Sequence, residues 1–174
     1  WGDAMKAGGN LKSAVPAFQW MATNAPQWNT KLYIDGVTLY DKLADAETDP
    51  AKKKVLVDSL LMIFDMRIKN CGDEVNVLNR KAFASYKFNI KNKEALPGLL
   101  ALFDKVYEIS GNNVTDDNLV PYMMTVKSNQ VSLKNVTDEQ ILSRYDKIIT
   151  VVDAKIAAAK TPADADKLRG YKDA

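Results

Sequence analysis

Three aspartates recur at equivalent positions along the chain, each directly after an aromatic residue. They are Asp65 after Phe64, Asp104 after Phe103, and Asp146 after Tyr145. Carboxylates that converge can act as general acids and bases or bind a cation. Each of these aspartates, however, adjoins an aromatic that we expect to be buried, which places it at the flank of an apolar helix face. We therefore interpret them as solvated residues or intrahelical ion-pair partners, with a shared acidic site as the alternative.

The chain contains no histidine, and this limits its chemistry more than any other feature of its composition. The usual serine and cysteine triads, most zinc sites and most general bases at neutral pH need histidine. The single cysteine, Cys71, excludes an internal disulfide and has no histidine to activate it. Asp45, Glu47 and Asp49 alternate, but their segment lacks the glycine and the distant glutamate of a calcium loop. The sequence therefore predicts no enzyme, no catalytic residue, no metal site and no cofactor.

Charge and hydropathy narrow the range of partners. The 174 residues carry 24 lysines and arginines against 22 aspartates and glutamates, a net charge of +2. The charges are dispersed except in Lys52-Lys53-Lys54, which we interpret as a solvated first helical turn, the alternative being part of a contact patch for anions. No apolar run has the length of a membrane-spanning helix. We expect no nucleic-acid partner and no transmembrane segment in this chain.

An apolar pair followed three or four residues later by an aromatic occurs repeatedly. The copies are Ala14-Val15 with Phe18, Leu60-Leu61 with Phe64, Leu99-Leu100 with Phe103, and Ile141-Leu142 with Tyr145. Their aromatics lie 39 to 46 residues apart, which is the length of a helix pair. The repeat predicts stacked pairs of helices, with the aromatics filling the space between them.

Helix start and stop signals divide the chain into predicted helices. Thr48-Asp49-Pro50 places a cap before a proline at the first helical position, and Thr137 begins a capping box with Gln140. The predicted helices cover 11–25, 29–46, 50–70, 74–91, 93–110, 116–134, 138–159 and 162–172. Pro97 and Pro121 lie about one turn inside two of these, which indicates later starts for both helices. No segment combines strand alternation with a hairpin turn, so the predicted fold class is all-α.

The beginning of the chain resembles the second half of a tetratricopeptide repeat. The matching residues are Gly9-Asn10-Leu11, Ala14, Phe18 and Pro26. In this pattern a glycine makes the turn, a small residue lets the paired helix approach, an aromatic fills the gap, and a proline ends the helix. A stripe of large, small and large residues also recurs after 46 residues, as Leu32, Gly36, Tyr40 and then Leu78, Ala82, Tyr86. The chain is similar to a divergent tetratricopeptide type with repeats longer than the usual length of about 34 residues.

The resemblance implies a right-handed array of antiparallel helix pairs in a single domain over residues 1–174. The pairs cover about 1–25, 29–70, 74–110 and 116–159, followed by a final partial helix at 162–172. Because too few residues precede the first turn to supply a partner helix for Ala14 and Phe18, we expect an array truncated at one or both ends. Proteins of this type occur in bacterial cell envelopes, which implies an envelope, periplasmic or secreted location.

A noncatalytic scaffold is the function that the resemblance implies, with a peptide or protein segment bound on the concave surface of the first helices. The residues expected to face that segment are Tyr33, Val37, Tyr40, Asn79, Arg80 and Lys87. Tyrosine offers a large contact area, whereas arginine and asparagine offer directional hydrogen bonds. The alternative for the tyrosines is a place in the core. Two other functions stay open: a self-associating assembly module of a cell-envelope complex, and a helical domain that binds or hydrolyses a small ligand.

Overall fold

Helices make up most of the protein. The computed structural model describes residues 9–172, of which 82% are helical and none lies in a strand. The α-helices are α1 (Leu11–Asn24), α2 (Thr30–Ala46), α3 (Pro50–Cys71), α4 (Glu74–Asn89), α5 (Leu96–Ser110), α6 (Leu119–Leu133), α7 (Asp138–Ala158) and α8 (Pro162–Gly170). Short 3-10 turns at Gly111–Asn113 and Asp116–Asn118 connect α5 to α6. The all-α fold class is confirmed for the described residues.

Hydropathy gives a separate result. Between residues 9 and 172, no helix has both the length and the apolar character needed to cross a membrane.

Side-chain caps determine where several helices begin. Asp49 caps α3, because its carboxylate accepts hydrogen bonds from the backbone amides of Ala51 and Lys52 at 2.9 and 3.0 Å. Thr137 and Gln140 form the predicted capping box at the start of α7, each side chain bonding to the other's backbone amide. These helices therefore begin directly after residues whose side chains accept hydrogen bonds from backbone amides of the first turn, which have no partner within the helix.

Two helices that contain a proline begin later in the sequence than predicted. α5 begins at Leu96 and α6 at Leu119, each three residues after the start of its predicted range. These starts place Pro97 and Pro121 in the first turn, where the missing N–H group has no intrahelical partner to lose. The later starts that the prolines indicate are confirmed.

Backbone contacts divide the chain into two compact units, Trp1–Val77 and Leu78–Ala174, with the boundary inside α4. In the first unit, α2 packs against both α1 and α3. In the second unit, α6 packs against α5 and α7, and α7 also packs against α8. The single domain over residues 1–174 stays a prediction.

α1 and α2 approach each other closely in the first unit. Phe18 is 3% exposed, and its ring lies against Gly36. A Cβ atom at position 36 would overlap Phe18 Cε2 and lie 2.7 Å from Phe18 Cζ. Only a residue without a side chain leaves room for the ring, so Gly36 sets the separation of the two helices.

The repeated aromatics are core residues in the first three copies of the pattern. Phe18 and Phe64 are each 3% exposed, and Phe103 is fully buried. Tyr145, in the fourth copy, is only half-buried. The aromatic wedges predicted from the repeat are therefore found in both units, but the last copy departs from the pattern.

Leu142, in the same copy of the pattern, is 63% exposed. α7 buries the face that carries Ile141, Ile148 and Val152. Leu142 follows Ile141 and therefore points about 100° away from it around the helix. The buried face of α7 is therefore narrower than the apolar pattern of its sequence.

Enlarging Gly36 tests the close approach of α1 and α2. The side chain in Gly36→Leu meets the Phe18 ring and forces the helices apart, so we expect the free energy of unfolding to fall by about 3 kcal/mol. Gly98→Leu in α5 is the matched control, because a Cβ atom there has no neighbour within 4 Å. Urea denaturation measures both variants. Equal midpoints for the two would contradict the close approach.

Truncating the buried aromatics tests their role in each unit. Phe64→Ala and Phe103→Ala each leave a cavity, and we expect each to lower the free energy of unfolding by about 3–5 kcal/mol. Phe83→Ala is the control, since Phe83 is 44% exposed and its loss removes much less buried contact. Denaturant midpoints of the core variants that match the midpoint of Phe83→Ala would show that these rings do not hold the cores.

Candidate functional site

A groove runs between α5 and α7 in the second unit. Its volume is about 1250 Å³, above the roughly 300–1,000 Å³ that is usual for small-molecule sites. One wall is formed by α5 and the turn after it, from Asp104 to Asn112, and the other by α7, from Glu139 to Val151. At the helical rise of about 1.5 Å per residue, the α7 wall is about 18 Å long. These dimensions suit a short chain segment.

The ends of the two helices fix the walls of the groove. α5 stops at Gly111, whose φ of 50° lies in the left-handed region that favours glycine. The capping box of Thr137 begins the other wall. Behind both walls lies α6, which packs against α5 and α7 and buries Tyr122 between them. The groove is therefore formed mainly by packed helices, with Gly111 and Asn112 contributed by the turn after α5.

An ion pair between Asp104 and Arg144 joins the two walls. Arg144 donates from Nε to Asp104 Oδ1 at 2.9 Å and from Nη2 to Oδ2 at 2.7 Å, which makes the pair bidentate. Tyr122 of α6 donates its hydroxyl to the same carboxylate. The hydrogen bonds to Asp104 raise the pKa of Arg144 and keep the guanidinium charged. Three helices thus meet at one carboxylate.

Tyr107 is a second polar feature of the groove. Its side chain is 6% exposed, and its ring centroid lies 4.4 Å from that of Tyr122. Its buried hydroxyl has no hydrogen-bond partner among the described residues, although buried hydroxyls are usually paired. Burial raises the pKa of Tyr107, and burial together with the bond to Asp104 raises the pKa of Tyr122. Both phenols therefore stay neutral at physiological pH.

The chemistry that the groove offers is mainly that of contact. Asp104 accepts hydrogen bonds from both Arg144 and Tyr122. Leu142 exposes apolar surface along the α7 wall. Within residues 9–172, no group of three or more histidine, cysteine, aspartate or glutamate side chains is placed to hold a metal ion. The groove can hold a ligand through charge, hydrogen bonds and apolar contact.

Known proteins provide no further guide to this site. No protein-family model, curated protein or solved structure matches the chain.

The tyrosines predicted to face a partner lie in the interior of the first unit. Tyr33 is fully buried, and its hydroxyl donates to the carbonyl of Pro26 at 2.7 Å and accepts from Asn70 Nδ2 at 2.8 Å. Tyr40 is 6% exposed. Both tyrosines therefore lie in the core, which was the alternative to contact with a partner. Val37, on the same helix, is half-buried, and its contact with a partner stays a prediction.

The other residues predicted to bind a partner lie on α4. Asn79 is 1% exposed, and its side chain donates to Ser110 Oγ at 2.9 Å and accepts from the backbone amide of Thr115 at 2.9 Å. The side chain of Asn79 therefore connects α4 to the end of α5 and has little exposed surface for contact with a partner. Arg80 and Lys87 are exposed, and their binding of a partner stays a prediction.

Asp104 is the residue of the groove whose role the sequence reasoning missed. The side chain keeps contact with water at 37% exposure, but the expected intrahelical pairing is wrong for it, because its partner Arg144 lies 40 residues further along the chain on α7. A signal for the pair exists in the repeat: Asp104 directly follows Phe103, and Arg144 directly precedes Tyr145. Residues that flank equivalent aromatics of successive repeats are candidates for contact when the helices stack.

The other two repeated aspartates lie in different units. Asp146 lines the same groove as Asp104, and it is exposed on α7. Asp65 is exposed on α3 in the first unit. A cluster of all three carboxylates, the alternative left open by the sequence, therefore finds no support within either unit.

The buried phenols predict a loss of stability in alkali. Their folded-state pKa values lie above the value of about 10 in the unfolded chain, so above that pH the native protein holds more protons than the unfolded one. This contribution to the free energy of unfolding is fully present below about pH 10 and decreases as the pH rises further. Thermal unfolding between about pH 7 and pH 11 measures the decrease.

Two single substitutions separate the phenols in that experiment. Tyr107→Phe removes no hydrogen bond, so we expect unchanged or higher stability at neutral pH and a smaller decrease in alkali. Tyr122→Phe leaves Asp104 without one donor and should cost about 1–3 kcal/mol at neutral pH. Equal losses in the two variants at neutral pH would contradict an unpaired Tyr107 hydroxyl.

Proposed function

We propose that this protein is a noncatalytic scaffold that binds a peptide or protein segment in the groove between α5 and α7. The observation that carries the proposal is the groove itself, an open cleft of about 1250 Å³ between two helices. Small ligands are usually bound in pockets that enclose most of their surface, whereas chain segments are bound along extended grooves. A wall of about 18 Å, at about 1.5 Å per residue, gives such a segment a continuous surface.

Rigidity of the walls supports the same function. A flexible segment loses conformational freedom on binding, so a receptor that does not also have to become ordered binds it more tightly. Asp104 and Arg144 connect the walls directly, and α6 packs behind both. Leu142 then offers apolar contact from a helix whose position is already fixed.

The proposal extends to the arrangement of the helices. In a tetratricopeptide-like array, α4 with α5 and α6 with α7 are successive pairs of a right-handed superhelix, and a cell-envelope location belongs to the same interpretation. α5 and α7 are then the second helices of their pairs. The groove therefore differs from the surface of first helices, to which Arg80 and Lys87 were assigned from the sequence.

Selection of displayed random peptides on the immobilised full chain tests the proposed function. We expect peptides whose affinity falls about tenfold or more in Ser143→Trp, because the indole occupies the α7 wall, and tenfold corresponds to about 1.4 kcal/mol. Ser132→Trp is the matched control, since Ser132 is an exposed serine of α6 that does not line the groove. Fluorescence anisotropy measures the dissociation constants of the labelled peptides.

Other outcomes would assign a different function or surface. Peptides that bind Ser143→Trp normally but lose affinity for Arg80→Glu would move the site to α4. Self-association in sedimentation experiments, with no peptide selected, would favour the assembly module. A retained small molecule, again with no peptide selected, would favour a ligand-binding domain.

A further inference from the structure

The groove is lined by more negative than positive charge. Asp104 and Arg144 neutralise each other as a bidentate pair. The charged lining residues that remain are Glu108, Glu139, Asp146 and Lys147, all of them exposed. Three carboxylates against one ammonium group favour a ligand with positive charge.

Tyr107 gives an independent indication that a ligand binds here. It lines the groove, its side chain is 6% exposed, and its hydroxyl lacks a hydrogen-bond partner in the described part of the chain. A buried hydroxyl without a partner is destabilising, and a ligand that supplies an acceptor removes that cost. The carbonyl oxygens of a peptide backbone are such acceptors.

The spacing of the carboxylates on α7 matches an extended chain. Glu139 and Asp146 lie seven residues apart, on nearly the same side of the helix and separated by about 10 Å along its axis. An extended peptide rises about 3.3 Å per residue and alternates its side chains between two faces, so side chains four residues apart lie on the same face, about 13 Å apart. The flexible side chains of lysine or arginine at these two positions reach both carboxylates. The wall of about 18 Å accommodates five or six residues of such a chain.

We propose that the groove receives an extended segment of a partner protein, with lysine or arginine side chains two residues before and two residues after an apolar residue, so that all three side chains lie on one face of the segment. The basic side chains pair with the carboxylates of Glu139 and Asp146, and the apolar residue packs against Leu142. A backbone carbonyl of the segment accepts a hydrogen bond from Tyr107. This inference rests on the proposed function and adds the chemistry of the partner.

Three labelled eight-residue peptides test the charge preference. Each contains one leucine, and two residues before it and two residues after it stand lysines in the first peptide, glutamines in the second and glutamates in the third. Fluorescence anisotropy with the full chain, at about 50 and 200 mM salt, gives the dissociation constants. We expect the lysine peptide to bind about tenfold tighter than the glutamine peptide at low salt, and this advantage to shrink at high salt because exposed charges are screened.

Variants of the chain identify the carboxylates that attract the lysine peptide. Glu139→Gln combined with Asp146→Asn should weaken the lysine peptide about threefold to tenfold and leave the glutamine peptide unchanged, which is the range expected for exposed ion pairs. Glu94→Gln combined with Asp117→Asn is the matched control, since both carboxylates are exposed in the second unit outside the groove. Tyr107→Phe should weaken both peptides about twofold to tenfold, as expected for one hydrogen bond.

Different results would overturn the preference for basic peptides and the binding of peptides in the groove. Equal affinities for the lysine and glutamine peptides, with binding still lost in Ser143→Trp, would overturn the basic preference alone. Spermine that displaces the lysine peptide at the same concentration as unlabelled peptide would assign the groove to polyamines instead. Absence of binding by all three peptides, together with no Ser143-sensitive peptide from the display selection, would overturn both.

Discussion

The bidentate pair between Asp104 and Arg144 is the interaction on which the groove depends. Charges that leave water lose hydration, and their attraction offsets this loss only when the geometry is good and the remaining lone pairs are satisfied. Both conditions are met, since two parallel hydrogen bonds form and Tyr122 donates a third. The side chain of Arg144 is 19% exposed and that of Asp104 is 37% exposed, so both keep part of their hydration. The main effect of the pair is to fix α5, α6 and α7 relative to one another.

The helices and their limits could be predicted from the sequence because their signals are local. A cap such as Asp49 acts on amides two and three residues away, and a proline such as Pro97 acts within its own turn. Close packing of a neighbouring helix at Gly36 could also be predicted, because Leu32, Gly36 and Tyr40 have the spacing of one helix face. The distance between α1 and α2, and the identity of the ring that fills it, depend on tertiary packing.

The candidate site was less accessible from the sequence, because burial of a polar side chain depends on partners far along the chain. Tyr33 and Asn79 have the side chains of good binding residues, yet both are used to connect helices inside a unit. Asp104 has the side chain of a surface residue, yet its partner is 40 residues away. Residue type and helical spacing cannot separate these cases, since the same tyrosine or asparagine serves a core contact or a partner contact.

The contact between Phe18 and Gly36 also limits how this sequence can vary. The two positions share one volume, because the ring of the first fills the space that a Cβ atom of the second would occupy. An alanine at position 36 is compatible with the same helix spacing only when position 18 carries a smaller side chain. Related sequences should therefore change the two positions together, so that selection acts on the sum of their side-chain volumes and not on either residue alone.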